Sequence, residues 1–228
     1  LYMMWFAGGA DDPRGDGPDV EPIVNKYQPN CLFYHNIDRA DFRWGGSETG
    51  TVEYPCWSTF PVPCSHHKRI ESQIELLKHG DKNGKYWVPA MADTPLRGAN
   101  GRHEWFWEPD DENNIYPLNT LMNKYEKSVG RNATLILGLT PGPTGLIPVG
   151  DVQRLKEMGD EINRRFSSPI ARISGQKKSL TLKFEKKQPV NYCIIQENIK
   201  NGERIRQYQI EAKVDGKWQT VCTGESVG

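Results

Sequence analysis

The side chains best placed to do chemistry follow three short apolar runs. They are Asp11, Asp12 and Asp16 after the first run, His35 after the second, Glu48 inside a glycine-rich loop, and Asp93 with Arg97 after the third. Parallel α/β folds present the C-terminal ends of their strands to ligand, so loops that follow strands are where such groups matter. Two carboxyl groups flanking one bond are what glycosidic cleavage requires. Seven Trp and nine Tyr could cover the apolar faces of sugar rings. The same residues have everyday uses, since acidic loops are commonly solvated and Trp commonly fills cores. The chain lacks GxGxxG, a phosphate-binding P-loop, GxSxG and HExxH, so nucleotide, hydrolase-elbow and zincin chemistry gain no support. His66 and His67 are adjacent and point apart, with no acidic partner beside them. The five Cys, at positions 31, 56, 64, 193 and 222, have neither CxxC nor CxxH spacing. No metal site, disulfide framework or cofactor is expected.

The elements that must hold these groups alternate. Residues 1–6, 31–35, 51–59, 86–91 and 133–139 read as buried strands, and 19–28, 68–79, 117–129 and 151–166 as helices, the last capped by Asp151. Strand–helix alternation implies a parallel sheet. After Ser168-Pro169 the period changes to two in SLTLKF, NYCIIQE, RIRQYQIEAKV and KWQTVC, with a hairpin turn at Asp215-Gly216. This predicts antiparallel β-structure, so the domain boundary is placed near 168–172, giving domains 1–168 and 169–228. The chain has 228 residues, with Lys and Arg equal to Asp and Glu at 29 each. Zero net charge gives no support to a nucleic-acid partner or a polybasic membrane contact. No apolar run approaches the roughly 18 residues of a membrane span. Leu1 to Phe6 starts directly as a strand, and Gly228 follows a strand-rich segment without a stop, so the chain is expected to be part of a longer one.

Several motifs carry a resemblance. Trp5-Phe6-Ala7-Gly8-Gly9 resembles the WFDG strand end of family 29 α-L-fucosidases. Gln28-Pro29-Asn30 and the run from Asp41 through Arg43-Trp44-Gly45-Gly46-Ser47-Glu48-Thr49-Gly50 resemble that family's QPN and DxRWxGxExG segments. Trp87-Val88-Pro89-Ala90 with Asp93, Arg97 and Trp105-Phe106-Trp107 resembles its WxPAxxD segment and the Arg and aromatic positions downstream of it. Ser128 to Asn132, Leu135 to Pro141 and Gly145 to Pro148 are similar to its SVGRN, TP and GLxP run. The matches fall in order over residues 1–166. The stretch from Asn191 to Trp218 is similar to the galactose-binding-like β-sandwich that often follows the fucosidase barrel.

The resemblance implies a (β/α)8 TIM-type barrel of which this chain holds strands four to eight, followed by a truncated antiparallel β-sandwich. The N-terminal half of the barrel would have to come from the same protein or another chain. In that family the Asp of WFDG is the nucleophile, and here the position is Ala7, whose methyl cannot attack an anomeric carbon. Glu48 is the expected general acid/base. His35, Arg43, Trp44, Trp57 and Arg97 are expected to bind substrate, with the Trp residues against the fucose methyl face and the Arg residues on the nucleophile carboxylate or sugar hydroxyls. Barrel packing for the Trp residues and inter-loop salt bridges for the Arg residues stand beside those roles. Two functions are implied: a retaining exo-α-L-fucosidase acting on a fucosylated glycan, disabled at Ala7, or a pseudoenzyme that binds fucosides without cleaving them. Family likeness also suggests a periplasmic or extracellular location.

Overall fold

The computed structural model of the chain describes residues 1–6, 18–34, 40–63, 74–102 and 105–227. Contacts gather into two compact units. One is built from Leu1–Leu96, Asn123–Gly138 and Gln196–Gly228, the other from Arg97–Met122 and Leu139–Ile195.

In the first unit, β1 (Met3–Trp5) and β2 (Leu32–Tyr34) pair in parallel, Met3 opposite Leu32 and Trp5 opposite Tyr34. Between them α1 (Glu21–Tyr27) takes Pro22 in its first turn, where the missing N–H costs no helical bond, and ends at Gln28 ahead of Pro29. The chain then leaves β2 through two bonds: the Asp41 N–H donates to the Phe33 carbonyl at 2.9 Å, and the Phe33 N–H donates to the Asp41 carboxylate at 2.8 Å. Two residues later it becomes β3 (Arg43–Trp44), which pairs in parallel with β6 (Ala90–Pro95). β6 in turn pairs in parallel with β7 (Ala133–Gly138) over six residues, from Ala90 opposite Ala133 to Pro95 opposite Gly138. All six residues of β6 are buried, as a parallel strand covered on both faces must be.

The pleat of this sheet sorts two cores. Ala90, Ala92 and Ala133 pack with Val52 and Cys56, where small side chains let the loop backbone come close. Met91 packs with Tyr34 and Phe42, and Met3, Trp5, Trp44 and Ile136 close over them, so β1–β2 and β3–β6–β7 share one apolar core. Trp5 meets Tyr34 edge-on at 5.8 Å between ring centroids, and Tyr34 stacks on Phe42 at 5.1 Å.

The sequence expectations need correction at several places. Residues 51–58 form no strand. Only β4 (Thr59–Phe60) does, and it pairs antiparallel with β5 (Tyr86–Trp87) rather than in the parallel sheet. The segment is apolar because Val52, Cys56 and Trp57 are buried, and its amides go elsewhere, Val52 N–H to the Lys127 carbonyl and Trp57 N–H to the His79 carbonyl. The expected 86–91 strand is really two, broken at Pro89, which has no N–H to donate. Asp93 accordingly lies within β6 opposite Ile136, not in a loop beyond it. Of the expected sandwich strands, only β8 (Tyr208–Val214) and β9 (Lys217–Gly224) form a ladder. Their turn at Asp215-Gly216 has φ of +47° and +83°, the two-residue hairpin geometry that favours Asp-Gly. Residues 179–184 and 191–197 pair with no strand among the described residues, and Leu180, Leu182 and Phe184 stand exposed. Alternation alone does not make a strand without a ladder partner.

Of the expected 68–79 helix, α2 (Ile74–His79) lies within the described residues. The 117–129 expectation is met by α3 (Leu118–Ser128). In the second unit, α4 (Val149–Phe166) begins after Pro148, so Asp151 is not its cap but a buried member of its first turn.

Candidate active site

The glycine-rich loop that carries Glu48 is fastened to β6 at both ends. Gly45 N–H donates to the Met91 carbonyl at 2.8 Å, and Gly50 N–H donates to the Asp93 carbonyl at 2.8 Å. The approach is close enough to require glycine. A Cβ on Gly50 would lie 2.7 Å from Thr94 Cγ2, and its φ of +71° lies in the left-handed region. Lys124 of α3 tightens the same corner, donating to the Thr49 carbonyl at 2.6 Å and to Thr94 Oγ1 at 3.3 Å, and burial lowers its pKa. Inside the loop the hydroxyls of Ser47, Thr49 and Thr51 form a chain with 2.8 Å spacings. Glu48 therefore sits exposed at the tip of a loop whose two feet are fixed on a buried strand, at Met91 and Asp93.

Beside the loop lies an open cavity of about 430 Å³, lined by Gly45, Gly46, Ser47, Thr49, Glu53 and Lys78 among others. Glu53 is a second carboxylate of this region, and the sequence alone does not single it out. It follows the GxExG pattern by a few residues and carries no motif of its own. Trp44 borders the loop on its strand side and donates its indole N–H to Asp93 Oδ1 at 2.7 Å. Asp93 is buried. The ring and the carboxylate thus fix one another where the loop leaves the sheet.

Other expected site residues sit differently. Arg43 is fully buried, and its guanidinium is spent on the protein: Nε donates to the Leu77 carbonyl at 2.9 Å, Nη1 to the Val88 carbonyl at 2.6 Å and Nη2 to Cys56 Sγ at 3.4 Å. Burial lowers its pKa and raises that of the Cys56 thiol. Glu203 lies near this pair. Its carboxylate accepts from Ser58 N–H at 2.9 Å and from the Asn132 amide, and burial raises its pKa against those bonds. Asn132 opens an NAT glycosylation triplet, but its amide nitrogen is already engaged by Glu203, Ser58 and Cys56. Trp57 is buried, with the Arg206 guanidinium 5.2 Å over its ring, so it fills the interior instead of presenting a face. Arg97, in the second unit, is buried against Asp151, to which Nε and Nη2 donate at 3.1 and 2.8 Å, while Asp111 lies 3.9 Å away. These are the core and ion-pair uses that stood beside the ligand roles. Ala7 and His35, and the His66-His67 pair, lie outside the described residues.

No family model matches the chain. Known proteins do. Alpha-L-fucosidase 1 of Arabidopsis thaliana is 28% identical over 272 residues, an alignment that takes in 100% of this chain and 51% of that protein. The chain spans about half the length of the curated relatives it matches. A crystal structure from Bacteroides thetaiotaomicron VPI-5482, whose protein carries the α-L-fucosidase name provisionally, is 92% identical. It superposes with a TM-score of 0.95 over 100% of this chain and 53% of the other. A family 29 fucosidase of Ruminococcus gnavus, solved as an Asp-to-Ala mutant in complex with fucose, shares the fold at 21% identity and a TM-score of 0.75, covering 100% of this chain and 53% of that one. The resemblance to the family 29 α-L-fucosidases that the motifs carry thus holds in sequence and in three dimensions along the whole of this chain.

Proposed function

We propose that the protein carrying this chain is built as a retaining exo-α-L-fucosidase, acting on terminal fucose of glycans, and that Ala7 at the nucleophile position disables it. Residues 1–168 are read as strands four to eight of a (β/α)8 barrel and 169–228 as the start of a β-sandwich. Periplasmic or extracellular action is part of the same reading. The observation that carries it is the Glu48 loop. It is clamped onto β6 by Gly45 and Gly50, bordered by Trp44–Asp93, and stands beside an open cavity, as an acid/base presented from a strand end requires. In a retaining mechanism Glu48 would protonate the leaving oxygen. The nucleophile carboxylate, lost at Ala7, would have to stand about 5–5.5 Å away to form the glycosyl-enzyme. With a methyl there the covalent step cannot begin, while sugar binding need not suffer.

The alternative, a fucoside-binding protein that never cleaves, draws on the same Ala7. That a family 29 mutant with Asp replaced by Ala was crystallised with fucose supports binding without turnover in such a pocket. Restoring Ala7→Asp in the intact protein and assaying an aryl α-L-fucoside separates the two. Release of the phenol, abolished again by adding Glu48→Gln, is the expected result. Tight fucoside binding with no release in Ala7→Asp would leave the binding protein as the correct reading.

A further inference from the structure

A second cleft shares no lining residue with the cavity beside the Glu48 loop. It has a volume of about 550 Å³ and is walled by β5 and by the turn at 199–203. Its volume falls in the roughly 300–1,000 Å³ range of ligand clefts.

The lining is chemically one-sided. Lys85, Lys200 and Arg206 contribute three cations, and Glu203 is the single carboxylate among the lining residues. Glu203 is already held by Ser58 N–H and Asn132, and is itself buried. Among the described residues neither Lys85 nor Lys200 pairs with a carboxylate. The Arg206 guanidinium sits 5.2 Å from the centre of the Trp57 ring, a contact that holds it at the cleft wall. Tyr86 and Trp87 line the same space and are 43% and 42% exposed, much for aromatic residues in a strand. Cations without counter-charges in a cleft attract an anion, and guanidinium recognises sulfate-like and carboxylate groups through paired N–H donors. A bare inorganic anion has no use for two exposed aromatic faces. A nucleic-acid strand calls for a broad basic surface, which a chain of zero net charge does not offer. Sugar rings have apolar C–H faces that suit aromatic side chains. We infer that this cleft is a binding site for an anionic saccharide, its sulfate ester or uronate carboxylate held by Lys85, Lys200 and Arg206 and its ring by Tyr86 or Trp87.

The site does not depend on the fucosidase reading, because its test reads binding and not hydrolysis. The intact protein is titrated calorimetrically with a sulfated fucan oligosaccharide, its desulfated counterpart, an oligogalacturonate and inorganic sulfate. Saturable binding of the sulfated or the uronate oligosaccharide, and not of the desulfated one or of sulfate alone, is expected, and which of the two binds identifies the anion. The affinity should fall as salt rises from about 0.05 to about 0.5 M, since exposed cations are screened. Lys85→Gln combined with Lys200→Gln should weaken it at least about tenfold. Trp87→Ala, made separately, should weaken it as well, while both variants melt near the wild-type temperature and bind an aryl fucoside unchanged. Equal binding of sulfated and desulfated sugars, binding of sulfate alone with the same affinity, or unchanged affinity in both variants would overturn the inference.

Discussion

Replacing Arg43 by Met tests whether a motif arginine serves the ligand or the fold. Methionine keeps most of the buried stem but removes three donors. The carbonyls of Leu77 and Val88, bonded at 2.9 and 2.6 Å, would be left inside without partners, and the contact of the guanidinium over the Phe60 ring at 5.7 Å would be lost. Each charge-assisted bond to a buried carbonyl is worth about 1.5–3 kcal/mol, so the gross loss is about 3–6 kcal/mol. Removing a buried charge returns part of that, because the guanidinium no longer has to be desolvated. A net cost of about 2–4 kcal/mol remains. At about 2–4 °C per kcal/mol for a domain of this size, the melting temperature should drop by at least about 4 °C. Thermal unfolding of the intact protein gives that number, and calorimetric titration with an aryl fucoside, which the Ala7 form should not hydrolyse, gives the affinity. If Arg43 instead gripped the sugar, the variant would melt within about 1 °C of wild type, as surface changes do, and the fucoside affinity would collapse. That result would refute the structural role.

Three further outcomes rest on the same contacts. Burial raises the Glu203 pKa above its ordinary 4.5, so the folded protein keeps a proton that the unfolded chain has released, and this group's contribution to stability falls as pH rises above 4.5. Glu203→Gln should therefore gain stability relative to wild type as pH rises above 4.5, until the folded-state carboxyl has itself ionised, and a melting difference that stays constant with pH would contradict the assignment. Gly50→Ala should cost about 1–3 kcal/mol, because it strains a left-handed residue and pushes a Cβ into Thr94; in an Ala7→Asp background it should also lower fucosidase turnover by moving Glu48, and unaltered stability would count against the clamp. Asp151→Asn leaves the Arg97 guanidinium buried with only Asp111 at 3.9 Å and should cost about 3–5 kcal/mol, whereas Arg97→Met with Asp151→Leu should recover most of it in urea unfolding.

How far the amino-acid sequence reveals each element depends on how its signal arises. β7 and α4 are legible because an unbroken apolar run and a long helical period each have one physical source. The parallel arrangement is legible from alternation, and the Asp215-Gly216 hairpin from residues that tolerate positive φ. β3 is not legible, since two residues have no period. Residues 51–58 mislead because burial makes a loop as apolar as a strand, and only the destination of its amides tells the two apart. Asp93 looks like a loop residue because it is charged, yet Trp44 gives its carboxylate a partner inside the sheet. Glu53 and the cleft beside Trp87 have no motif, as their residues meet only after folding.

Arg43 and Trp44 show why a contiguous motif overstates a site. Neighbouring residues of a strand point to opposite faces of its sheet, so both cannot serve one pocket. On one face Arg43 reaches Cys56, which packs with Ala90, Ala92 and Ala133. On the other, Trp44 joins Met91, Tyr34 and Phe42 and donates to Asp93, immediately before the loop that bears Glu48. The first face is backed by α2, whose Leu77 carbonyl takes the Arg43 Nε–H, and it sets where the strand lies. The second face carries the Trp44–Asp93 bond where the Glu48 loop begins, and it sets how that loop leaves the strand. The two residues are adjacent in sequence because the strand that holds the loop must be anchored from behind and furnished in front at the same point. Their substitutions should therefore separate: Arg43→Met acts chiefly on unfolding and Trp44→Phe, which keeps an aromatic side chain but loses the indole bond to Asp93, acts chiefly on fucoside affinity. If Trp44→Phe lowered the melting temperature as much as Arg43→Met while leaving affinity intact, this division of the motif between the two faces would be wrong.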